Sequence, residues 1–197
     1  MHIKHIGQRC LTGICCVGLL LLTACVPTEQ ATPSASATPS SSASGSATPS
    51  ATPTASAAPS TPVTIGCDSL ISLQEMYDFN PNFSAKADYS PAAGSLGAEA
   101  LERKGIACAW VNQTSGELIE ISVANPGDTV LTAKKNELVT TSNPVPTYEV
   151  EGYFIVDNGV GTAQAFDDPY WIVATSSLFF EPGDVAPLMA AAIANLG

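Results

Sequence analysis

The chain has 197 residues, enough for one ordinary domain, and carries 7 Lys plus Arg against 18 Asp plus Glu, a formal charge of -11. That balance disfavours nucleic acid and anionic headgroups as partners of any folded part. Its two histidines, His2 and His5, both fall in a segment expected to be removed, so the remaining chain lacks the imidazole that Ser-His-Asp, Cys-His, HExxH and His-ligated zinc chemistry require.

The first nine residues include Lys4 and Arg9, and an apolar run from Leu11 to Leu22 ends in Leu22-Thr23-Ala24-Cys25. This is the layout of a lipoprotein signal peptide over residues 1–24. Small Thr23 and Ala24 let the segment enter a peptidase groove extended, and the Cys25 thiol accepts a diacylglyceryl group before cleavage. As an uncleaved helix, the run of twelve residues would span only about 18 Å of a roughly 30 Å hydrocarbon core. Two acyl chains give stable anchoring where one would be marginal. Cys10, Cys15 and Cys16 are apolar fillers of the leader.

Residues 25–62 then form a tether. From Val26 to Pro62 almost every residue is Ala, Ser, Thr or Pro, and ATPS recurs at Ala31, Ala37 and Ala47. With seven prolines and no core-forming residues, the segment is expected to be disordered with an extended bias. Fully polyproline II it would reach about 115 Å, and as a flexible coil roughly 35 Å. A bare spacer suffices, and the composition also suits O-glycosylation.

All 13 aromatic residues lie between Tyr77 and Phe180, so residues 63–197 constitute the globular, extracytoplasmic domain. Leu70, Leu73, Met76 and Tyr77 fall at helical spacing after Asp68, a candidate N-cap, and before Pro81. A second short helix is expected from about Ala92 to Lys104. Ile106–Gln113 and Glu117–Ala124 read as a hairpin around Thr114-Ser115-Gly116, with Ile119, Ile121 and Val123 alternating against Glu120 and Ser122.

Asp128 opens a helix through about Val139, in which Val130, Leu131, Leu138 and Val139 could face a core; Asn143-Pro144-Val145-Pro146 ends it. Strands follow at Val150–Asp157, Gly161–Phe166 and Trp171–Ser176, with Asn158-Gly159 as a tight turn. Asp184 caps a closing Ala-rich helix to Leu196. The expected fold class is α+β, an antiparallel sheet of about five strands covered by N-terminal and C-terminal helices.

Cys67 and Cys108 remain in the domain, and an exported chain meets an oxidising compartment, so a structural disulfide is expected. The alternatives are a metal site, which two thiols without His do not complete, and free buried thiols. The stretches Cys67-Asp68-Ser69-Leu70 and Gly105-Ile106-Ala107-Cys108-Ala109-Trp110 resemble the Cys-x-x-Leu and Cys-x-Trp pattern of an uncharacterised family of surface lipoproteins from high-GC Gram-positive bacteria. That family is similar in layout to the sensor domains of some bacterial Ser/Thr kinases and to PsbP-like lipoproteins. The resemblance, over Cys67 to Ala124, implies terminal helices on an antiparallel sheet, a disulfide and a surface location; it carries over no catalytic or binding residue.

Among candidate sites, Phe166-Asp167-Asp168-Pro169-Tyr170-Trp171 combines carboxylates with aromatics as sugar-stacking or cation-binding loops do, while Pro169 favours an ordinary turn between core aromatics. Asp167, Asp168, Tyr170 and Trp171 are the ligand-binding candidates. Asp157-Asn158-Gly159 lacks the later ligands of a calcium loop and reads as a hairpin turn. Paired carboxylates are the common hydrolytic chemistry open to a chain without His. Glu117 with Glu120, or Asp167 with Asp168, are the nominal pairs, and solvated surface charge accounts for them better. Thr132 and Lys135 match a Thr-x-x-Lys spacing without the rest of an acylase motif set. Tyr77-Asp78-Phe79-Asn80-Pro81-Asn82-Phe83 could line a pocket, although helix termination explains it.

The expectation is a non-enzymatic lipoprotein on the outer face of the plasma membrane. Its lipid on Cys25 engages the membrane, and its domain binds a ligand, a cell-wall component or a protein. No cofactor, metal or nucleic acid is expected. A carboxylate-based glycan hydrolase and a purely structural envelope protein are the alternatives.

Overall fold

Helix and strand signals alternate irregularly along the chain, and the computed structural model shows what they build over residues 59–197, the part of the chain it describes. The elements in order are α1 (Cys67–Leu70), α2 (Leu73–Phe79), β1 (Phe83–Ala85), α3 (Leu96–Glu102), β2 (Ile106–Asn112), β3 (Leu118–Ala124), α4 (Asp128–Thr141) and β4 (Asn143–Pro144). A 3-10 turn at Pro146–Tyr148 leads to β5 (Glu151–Asp157), β6 (Val160–Asp167), β7 (Tyr170–Ser176) and α5 (Pro182–Leu196). The leader, Cys25 and nearly all of the tether lie outside the described residues.

The strands make one antiparallel sheet in the order β1-β2-β3-β7-β6-β5-β4. The class is α+β as expected, but the sheet has seven strands where the sequence pointed to about five. The additional two, β1 and β4, are the edges, three and two residues long. Such short strands carry too few positions for alternation to register, and Pro144 lacks a ladder donor, which confines it to an edge. Asn158 and Gly159 adopt φ of 49° and 80°, the left-handed pair that a two-residue hairpin turn demands, and join β5 to β6.

Side-chain alternation divides the apolar residues between two faces. On the first, Cys108, Trp110, Ile119, Ile121, Val123, Ala163, Ala165, Ile172 and Ala174 pack beneath Leu70, Met76, Val185, Leu188 and Met189 of α1, α2 and α5. On the second, Ala124, Tyr153, Phe166, Trp171 and Val173 meet Leu96 and Ala100 of α3 and Leu131 and Leu138 of α4. The terminal helices therefore cover one face, as expected, and the two middle helices cover the other.

The first helix differs from its expected form. It is interrupted at Ile71-Ser72, because Ser72 N-caps α2: its Oγ accepts from Glu75 N–H at 3.2 Å, and Glu75 Oε2 accepts from Ser72 N–H at 2.7 Å. The interruption turns Leu70, Ile71 and Met76 inward and leaves Leu73 73% and Tyr77 62% exposed. Asp68 does not cap α1; Gly66 holds the N-cap position. Likewise, Val139 of α4 is exposed while Leu131 and Leu138 are buried, and Asp184 is the third residue of a capping box whose N-cap is Glu181.

Cys67 and Cys108 are joined, with Cα atoms 5.6 Å apart, tying the start of α1 to β2. The loop so closed spans 41 positions, for which chain entropy gives about 4 kcal/mol of stabilisation.

A carboxylate-bearing hollow on the second sheet face

Three neighbouring strands present small or polar groups to the second face at one level. β3 contributes Glu120 and Ser122; β2 sets Ala109 and Ala107 opposite them, and β7 sets Thr175 and Val173 opposite them. The alanines fill little space, so where the segment before α3 crosses the sheet a hollow remains. Its roof is Tyr89, Ser95, Leu96 and Gly97; its floor includes Glu120, Ser122 and Thr175; and its volume is about 40 Å³. Ser122 is buried, and Ser95 N-caps α3 by accepting from Ala98 N–H at 3.2 Å.

Tyr89 Oη is shut off from solvent and has no hydrogen bond of good geometry. Burial first, and then the facing Glu120 carboxylate, push its pKa above the ordinary phenol value. Glu120, Ser95 and Thr175 also border an open groove of about 380 Å³ that continues past Leu118, Val160 and Ser177. The hollow and the groove thus share a wall, and Glu120 stands in it.

Further along the same face, polar groups are paired. Trp171 Nε1 donates to Gln164 Oε1 at 2.9 Å, and Lys134 Nζ lies 3.7 Å from the centroid of the Trp171 ring. Glu99 receives Lys134 at 2.7 Å and Arg103 at 2.9 Å. Burial opposes the ionisation of Glu99, but hydrogen bonds from Lys134 and Arg103 and the charges of both bases outweigh it, so its pKa falls below the ordinary value.

The aromatic-acidic segment at residues 166–171 spans the end of β6, the Asp168-Pro169 turn and the start of β7. Trp171 and Phe166 point into the second core, and Tyr170 packs against the first. The Asp168 carboxylate is held 3.2 Å from Lys135, which also reaches Glu151 at 3.5 Å. Asp167 pairs with Tyr170 in the ladder and is half-buried. Asp167, Asp168, Tyr170 and Trp171 are therefore not gathered into one concavity.

Thr132 is exposed on α4, and its spacing partner Lys135 is occupied by Asp168 and Glu151. Glu117 accepts hydroxyl hydrogen bonds from Ser115 and Ser177 in a loop before β3, whereas Glu120 stands on the strand. The Tyr77–Phe83 segment ends α2 and pins β1: Asn82 Nδ2 donates to Asn112 Oδ1 at 2.8 Å and to Thr114 Oγ1 at 2.9 Å. An open groove of about 430 Å³ between α2 and α5 is bordered by Glu75, Asp78, Phe79 and Pro187. Its Glu75 is already engaged by Ser72 and by Asn195.

Among the described residues no group of three or more His, Cys, Asp or Glu is placed to hold a metal ion, and no helix is long and apolar enough to cross a membrane. No family model, curated protein or solved structure matches the chain. The hollow itself left little trace in the sequence. Glu120 and Ser122 were visible as the polar side of an alternating strand, but Tyr89 and Ser95 reach them through contacts more than twenty positions away, which no local pattern encodes.

Proposed function

We propose that the chain is a lipid-anchored extracytoplasmic surface protein, acylated on Cys25, whose domain over residues 63–197 binds a ligand or partner without performing chemistry on it. The reading rests on the Leu22-Thr23-Ala24-Cys25 lipobox followed by a domain closed by the Cys67–Cys108 disulfide. A bond of that kind belongs to an oxidising compartment, which is where a lipobox would deliver the chain. The Ala/Ser/Thr/Pro tether carries the domain off the bilayer, and the hollow with its adjoining groove offers a concave surface for a small group.

A glycan hydrolase would need two carboxylates across a cleft, one of them with a raised pKa. The hollow and its groove are bordered by a single carboxylate, that of Glu120. Glu75 and Glu99 both have lowered pKa values, and each is tied into hydrogen bonds that leave it unsuited to donate a proton. This favours binding over catalysis.

Detergent phase separation tests the anchor. The wild-type protein is expected in the detergent phase, and Cys25→Ser in the aqueous phase. Equal partitioning of the two would overturn the proposal.

A further inference from the structure

We infer that the hollow beside Glu120 is a binding site for a primary ammonium group carried on a short aliphatic stem. The inference deepens the ligand-binding reading of the domain and rests on it.

Charge supplies the first argument. Among the described residues the ion pairs engage Arg103, Lys134 and Lys135 with Glu99, Glu151 and Asp168, and none involves Glu120. No basic side chain borders the hollow or the groove. Glu120 is only half-exposed, so its carboxylate gives up part of its hydration without an internal cation in return.

Hydrogen-bonding capacity supplies the second. An ammonium has three N–H donors and no acceptor. The hollow offers the Glu120 carboxylate and the hydroxyls of Ser122 and Thr175, all of which accept, whereas the enclosed Tyr89 Oη faces Glu120 and is not reached from the hollow. Thr175 lies directly across the ladder from Glu120, and Ser122 is two positions along the same strand, so these acceptors converge on one side.

Size and shape supply the third. A volume of about 40 Å³ admits a group no larger than a few water molecules, since one water needs roughly 10–15 Å³ by this measure. The adjoining groove runs past Leu118 and Val160, which give an alkyl stem apolar surface. A quaternary ammonium is too bulky for the hollow and has no N–H to donate.

The test is calorimetric titration of the purified full chain with n-butylammonium chloride, against n-butanol and tetramethylammonium chloride at matched ionic strength. Saturable binding of n-butylammonium alone is expected. Glu120→Gln should weaken it by about tenfold or more, as expected for loss of a charge-assisted hydrogen bond. If Glu120→Gln loses the fold by circular dichroism, Thr175→Val, which keeps the volume but removes an acceptor, should also weaken binding several-fold.

A second arm uses Nα-acetyl-lysine methylamide. Binding comparable to n-butylammonium assigns the site to lysyl groups of a polypeptide, and binding of n-butylammonium alone assigns it to free amines; either outcome supports the ammonium site. Absence of binding by both, binding of n-butanol equal to that of the amine, or affinity unchanged in the folded variants overturns it. Capture from intact envelopes of a neutral ligand, with no amine binding, would leave the domain a binding module and remove only the ammonium assignment.

Discussion

Lys134 Nζ stands 3.7 Å from the centroid of the Trp171 ring and 2.7 Å from Glu99 Oε2, so one cation joins α4 to a sheet aromatic and to α3. Trp171 is fully buried, and its Nε1 is satisfied by Gln164, which leaves the ring face free for the cation. Two helices are thereby locked over the second face at a single point.

Lys134→Met should keep the aliphatic stem and lose the charge. It is expected to destabilise the domain by about 1–2 kcal/mol in urea unfolding, the size of a partly desolvated cation–π contact with its ion pair. No change in the unfolding midpoint would show that the helices are held by apolar packing alone.

The same cluster sets a pH dependence. Glu99 has a folded pKa below its unfolded value, so the stability it contributes is complete above the unfolded value near 4.5 and is lost as pH falls through the folded one. Glu75, lowered by its hydrogen bonds from Ser72 and Asn195 in excess of its burial, acts with the same sign. Unfolding free energy should therefore decline as pH drops below about 4.5, and Glu99→Gln should decline less steeply over that range. Parallel curves for the two proteins would contradict the assignment.

Reduction of Cys67–Cys108 should lower the unfolding free energy by about 4 kcal/mol, with the double variant Cys67→Ala/Cys108→Ala matching the reduced protein. Urea titrations with and without reductant read this directly. Two freely alkylatable thiols in the untreated protein would refute the bond.

Glycine positions separate backbone crowding from helix propensity. A Cβ on Gly161 would sit 2.1 Å from the Phe179 carbonyl oxygen, where the chain leaving β7 presses on β6, so Gly161→Ala should cost about 2–3 kcal/mol. Gly183, in the first turn of α5, meets only Glu181 Oε1 at 3.8 Å. Gly183→Ala should therefore stabilise by about 0.5–1 kcal/mol, through helix propensity and a less flexible unfolded chain. Thermal melts of the two variants should move in opposite directions.

The parts of this fold legible in the sequence are those written by local periodicity. Ile119, Ile121 and Val123 alternate and form a central strand, and Asn158-Gly159 marks a turn whose left-handed backbone few other pairs tolerate. Edge strands β1 and β4 are too short for a period to register. The break at Ser72 was hidden because Leu73 and Tyr77 extend the apolar spacing of Leu70, although the Ser72-x-x-Glu75 capping box that overrides it was present. Glu120 read as a solvated charge, and only the sheet register, with alanines on one side and Thr175 on the other, reveals it as the wall of a hollow. The carboxylates and aromatics of residues 166–171 fit both a binding loop and the ordinary turn that Pro169 favours; Trp171 is buried on β7, while Asp168 lies in the turn, paired with Lys135.

The central claim is that Cys25 becomes the acylated amino terminus of a tethered surface domain. Intact mass spectrometry of the protein extracted from membranes tests it most directly. The account predicts a chain beginning at residue 25 and carrying a diacylglyceryl addition that is absent from Cys25→Ser; an unacylated chain that retains residues 1–24 would contradict it.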